Sequence, residues 1–147
     1  MVFRAAETSA QAPARRGTRL AVGGAVVALT LSLTGCMFWP KPTVAIFEVG
    51  GVQRFTVELA TPELVAHAQG LLAGDNLEAV PSGDIVPGDA RVNAPWSWHI
   101  DPSTLEFSNV STAECDGTPQ DVEDGRITTE RFCPWSARIV AIEGPDA

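Results

Sequence analysis

Two strand-like runs, residues 44–49 and 52–60, flank Gly50 and Gly51. A Gly-Gly pair supplies the positive φ angles of a tight hairpin turn. A two-residue turn sets Ile46 opposite Phe55 and Val44 opposite Val57, with Leu59 continuing that apolar face. A helix follows. Thr61 is suited to cap it, Pro62 to open it and Glu63 to its positive end. Leu64, Val65, Ala68, Leu71 and Leu72 recur on one face, and Gly74 is placed to stop the helix. Residues 76–94, rich in Gly, Pro and Asp, read as loops around short strands near 77–80 and 85–86. Trp96-Ser97-Trp98-His99-Ile100 alternates with period two, as does Leu105-Glu106-Phe107. The intervening DPST has turn chemistry, so Ile100 is expected to pair with Leu105, Trp98 with Phe107 and His99 with Glu106. That strand is expected to run on towards Cys115. Residues 116–130 read as a polar loop and 137–143 (ARIVAIE) as a last strand. The pattern predicts an α+β domain, a mainly antiparallel β-sheet with one packed amphipathic helix; a β-sandwich with one added helix is the alternative.

The first 40 residues have a different pattern. Arg4, Arg15, Arg16 and Arg19 stand against one acid, Glu7, and residues 20–33 (LAVGGAVVALTLSL) carry no charge. A basic stretch, an apolar stretch and small residues compose a secretory signal. Leu33-Thr34-Gly35-Cys36 resembles the lipobox of bacterial lipoproteins, which implies cleavage before Cys36 and lipidation of its thiol. The expected organisation is a signal peptide over 1–35, a short membrane-proximal linker over 36–43 and an extracytoplasmic domain over 44–147. The alternative is a single N-terminal transmembrane helix over about 20 residues from Leu20 to Trp39. Either places the domain outside the cytoplasm. The lipid-anchored form would sit at the outer face of the cell membrane, and its short linker would keep it near that surface.

Composition sharpens this picture. The part from Cys36 onward holds six basic residues against seventeen acids, a net charge of −11. That argues against a nucleic-acid partner and against attraction to anionic lipid, leaving the anchor to hold the membrane. Three cysteines are an odd count. Lipidation would use Cys36, leaving Cys115 and Cys133 to pair in an oxidising space. No Cys or His partner sits at zinc spacing, so neither a metal nor another cofactor is expected.

The tryptophan-rich strand and the acidic loop are the candidate sites. Trp96 and Trp98 point the same way from a strand, either into the core or as a binding surface. Ser97, His99 and Asp101 share a face but lie about 7 Å apart at each step, too far for a nucleophilic relay. No enzyme is therefore expected. The 115–125 loop holds four acids, Asp116, Asp121, Glu123 and Asp124, without the spacing of an EF-hand. A solvated loop held by a disulfide is the simpler reading. The candidate binding surface is Trp96, Trp98, His99 and Trp135 with Asp116, Asp121 and Glu123.

Three motifs in order carry a further resemblance: WSWHIDPSTLEF over 96–107, Cys-Asp-Gly-x-Pro with Val-Glu over 115–123, and Cys-Pro-Trp-Ser over 133–136. Together they resemble the N-terminal domain of a slime-mould pre-stalk calmodulin-binding protein and its bacterial secreted relatives, over roughly residues 55–143. The resemblance implies a small extracellular domain and brings no catalytic residues. The calmodulin association does not follow, because calmodulin targets are basic amphipathic helices and this domain is acidic. The expected function is an exported, membrane-anchored lipoprotein carrying a disulfide-bonded binding module. A structural or interaction protein of the cell envelope is the second reading, and a hydrolase the third.

Overall fold

The computed structural model describes residues 41–147. Strands β1 (Val44–Val49) and β2 (Gln53–Glu58) form the expected antiparallel hairpin. Gly50 and Gly51 both take positive φ, 62° and 74°, and Val52 N closes the turn on Val49 O. The register differs from the expected one. Val52 stands out as an extra residue, 81% exposed, so Val49 pairs with Gln53 and Phe47 with Phe55. One residue of slip exchanges the faces of a strand. Ala45, Phe47 and Val49 are therefore buried, and Val44 and Ile46 lie on the outer face.

Helix α1 spans Pro62–Ala73, with the Thr61 hydroxyl accepting from Leu64 N and Gly74 in the left-handed conformation. Val65 and Ala68 are buried in the core, with Leu64 packed against it. The stretch expected to hold two short strands is one, β3 (Val80–Pro87), running through Pro81 and Gly83. Gly83 permits this: a Cβ there would stand 2.4 Å from the Ile100 side chain.

Strands β4 (Trp98–Ile100) and β5 (Glu106–Ser108) were expected to pair with each other. They instead take successive stretches of β3, β4 on Ile85–Pro87 and β5 on Val80–Ser82. The DPST segment bridges them: Asp101 N donates to Asp84 O, and Asp84 N donates to Thr104 Oγ1. The strand ends at Ser108, short of Cys115. The acidic loop contains a short helix, α2 (Pro119–Glu123), started by Pro119 and a Thr118–Asp121 capping box. β6 (Arg131–Phe132) pairs with the middle of β3, and β7 (Ala137–Glu143) covers the predicted last strand.

The strands divide between two antiparallel sheets, β2-β1-β7 and one built around β3. The core joins them. Phe55 meets Phe132 edge-on at 5.4 Å between ring centroids and Trp98 at 6.2 Å, while Phe47 lies 5.7 Å from Phe55. The class is α+β, with α1 closing one end of this core. Cys115 and Cys133 form the expected disulfide, their Cα atoms 5.1 Å apart. Cys36 and the alternative span at 20–39 lie outside the described residues. Among the described residues, no helix is long and apolar enough to cross a membrane.

Candidate binding surface

The disulfide fixes the segment that carries Trp135. Cys133 N donates to Cys115 O at 2.8 Å, and Pro134 is fully buried. Asp116, next to Cys115, accepts from Trp135 N at 2.8 Å and from Gly117 N through the same oxygen. The backbone of Trp135 is thus held at both ends while its side chain points outward, the residue being 60% exposed. A large indole on a pinned backbone presents apolar area with little entropy left to lose on binding.

The other tryptophans serve the fold. Trp98 is 4% exposed, packed between Phe55 and Phe132, and belongs to the core rather than to a surface. Its indole Nε1 is buried without a hydrogen-bond partner. Trp96 is half-buried and donates from Nε1 to Arg54 O at 2.7 Å, fastening the segment before β4 onto β2.

The acids do not converge. Glu123 accepts from Ser97 N at 2.9 Å, and Gln53 Oε1 accepts from Gln120 N, so α2 is tied to both β2 and the Trp96–Ser97 backbone. Asp121 closes the capping box and pairs with Arg126, which also meets Asp124. The hydroxyl and backbone N–H of Thr118, and then Arg126, hold the Asp121 carboxyl below the usual aspartate range. Among the described residues, no three His, Cys, Asp or Glu side chains gather where a metal would fit.

Ser97, His99 and Asp101 form no relay. Ser97 is engaged through its backbone, His99 Nδ1 contacts Gly88 O, and Asp101 accepts from Ser103 N and Oγ. The Ser103 bonds lower the Asp101 pKa, with a smaller contribution from the charge of His99. His99 does not pair with Glu106, whose partner is Arg131. Arg131 also donates to Ser82 Oγ, clasping β3, β5 and β6. These bonds join residues 25 and 49 apart, a separation that no local spacing signals. His67 was expected to pair along the helix with Glu63. Its ring stacks on Phe107 at 4.5 Å instead, with Nε2 at 2.7 Å from Glu78 O. A depression of 390 Å³ lies between the end of α1 and the start of β7, away from all seven expected residues.

The family model for the N-terminal domain of the slime-mould calmodulin-binding protein matches residues 41–146, extending the resemblance read from the motifs at both ends. No curated protein and no solved structure matches the chain.

Proposed function

The chain belongs to the family of that slime-mould N-terminal domain, and from that premise we propose that it is an exported lipoprotein, anchored through Cys36, whose domain is a non-catalytic binding module. The observation that carries the binding reading is Trp135. A side chain of this size is ordinarily buried, and here it is 60% exposed on a backbone fixed by the disulfide and by Asp116. Tryptophan is enriched among residues that dominate binding energy, and prior ordering lowers the entropy cost of association. Trp135 and Asp116 are thus the centre of the surface. Trp96, Glu123 and Asp121 support it by holding the neighbouring backbone, and Trp98 contributes from the core. The anchor rests on the basic, apolar and small-residue order before Cys36.

Expression of the full chain in a bacterium tests both halves. The wild type is expected in the membrane fraction with an acylated Cys36 as its first residue, and Cys36→Ser is expected to release it. An intact Met1 on a soluble chain with all thiols reduced would refute the export reading. Crosslinking in intact cells is expected to yield an adduct that Trp135→Ala abolishes and Val110→Ala retains. Val110 is a comparably exposed apolar residue and serves as the control. An adduct insensitive to Trp135→Ala would remove Trp135 from the surface.

A further inference from the structure

The two outer strands of the β2-β1-β7 sheet end differently. Along β2, side chains occupy the outward-facing backbone. Asn93 Oδ1 accepts from Thr56 N at 2.8 Å, and Arg54 O accepts from Trp96 Nε1 at 2.7 Å. Asn93 is itself buried, with Nδ2 donating to Trp98 O. An added strand would have to break these bonds first. β7 has one ladder neighbour, β1. Among the described residues, the only backbone bond outside that ladder to reach β7 is the local turn from Ala137 N to Pro134 O. An open edge of this kind is a template for strand addition.

The depression of 390 Å³ lies beside this edge. Leu71 and Gly74 at the end of α1, Leu77 and Ala79 beyond it, and Ala137–Ile139 of β7 all line it. Ile139 lies across β1 from Phe47, on the core side of the sheet, and the neighbouring Arg138 lies on the outer side opposite Glu48. An added strand would alternate in the same way, one residue towards the depression and the next towards Arg138.

Charge indicates what the second position takes. Arg54, Arg126 and Arg131 are in ion pairs, whereas Arg138 has no partner among the described residues. Glu48 stands opposite but is bound by Arg54 at 3.0 Å. Beyond this position, β7 carries a bulge at Val140, between the pairs Phe47–Ile139 and Ile46–Ala141. A bulge twists an edge away from further pairing, so the usable stretch is short. A second copy of the chain would set two bulged strands together and add one −11 domain to another.

We propose that the β7 edge at Ala137–Ile139 receives a short extended peptide from a protein partner, with apolar residues facing the Leu71–Leu77 depression and one acidic residue against Arg138. This rests on the reading of the domain as a binding module and supplies its partner class. The remainder of the peptide is neutral, since further acids would meet the negative charge of the domain.

The probe is a blocked pentapeptide, Thr-Val-Glu-Val-Thr, added to isotope-labelled full-length chain in detergent micelles and followed by NMR. The expected result is shifted and exchange-protected amides at Ala137–Ile139. The same peptide with Lys for Glu is expected to bind about fivefold more weakly. Arg138→Glu is expected to reverse that preference while leaving amides elsewhere unmoved. Several results would overturn the proposal: no response at β7, equal binding of both peptides, a response centred on Trp135, or β7 protection that depends on protein concentration alone. The last would mean that a second copy occupies the edge. A silent edge with the Trp135-dependent crosslink intact would sink this inference and leave the binding module standing. Loss of both would remove the module as well.

Discussion

Trp98 and Trp135 have the same side chain and opposite duties. Trp98 fills the space between Phe55 and Phe132, so Trp98→Ala is expected to cost about 3–5 kcal/mol in urea unfolding. Trp135→Ala removes exposed area and should change stability by less than about 0.5 kcal/mol. Equal losses for the two would mean that Trp135 is packed. Thr118→Ala opens the capping box of α2 and is expected to cost about 1 kcal/mol. The Asp121 end of the same box depends on pH. Its carboxyl is lowered in the folded state, first by the Thr118 bonds. The stabilisation is therefore present above the ordinary aspartate range and is lost as pH falls through the lowered folded value. An acid titration of stability should show this step in the wild type and lack it in Asp121→Asn.

At the scale of elements, legibility in the sequence followed the range of the contacts involved. The cap, opening proline and stop of α1 are local, and Thr61, Pro62 and Gly74 each do what their chemistry suggests. The β1–β2 turn was equally legible, but its register was not. Nothing in residues 50–52 distinguishes a two-residue turn from one that extrudes Val52, and that choice decides whether Ile46 or Phe47 is buried. Deleting Val52 should therefore preserve the Val49–Gln53 and Phe47–Phe55 pairs, with the cross-strand contacts intact by NMR. Gly51→Val, at φ 74°, should cost about 1–2 kcal/mol. β3 was hidden because Pro81 and Gly83 look like turn residues. Their place in a strand depends on Ile100 lying directly over Gly83, a contact set by tertiary packing. β4 and β5 were recognisable as strands, yet their partner was not, because β3 lay concealed. The candidate surface divided in the same way. The exposure of Trp135 depends on an Asp116 bond across 19 residues, while the alternation at 96–100 is shared by core and surface strands alike.

For the whole molecule, the cysteine count was the most informative long-range signal in the sequence, because it singled out the pair that closes a long loop. Cys115 and Cys133 are 18 residues apart, and reduction is expected to lower stability by about 3 kcal/mol in the chain-entropy model. Thermal unfolding with and without a reductant measures this. The same loop carries α2 and brings Asp116 to the backbone of Trp135, so reduction should also weaken any Trp135-dependent binding before the core itself melts.

The ends of the domain meet. The Thr43 hydroxyl donates to the Asp146 carboxylate at 3.3 Å, and β1 pairs along its length with β7, almost a hundred residues later. Forming that ladder requires one of the largest loop closures available to the chain, and non-local pairing of this kind slows folding. Joining the region after Asp146 to Lys41 by a short linker, and opening new termini between Gly50 and Gly51, would turn the most distant strand pair into a hairpin. Such a circular permutant should reach the same native structure faster than the natural order of strands.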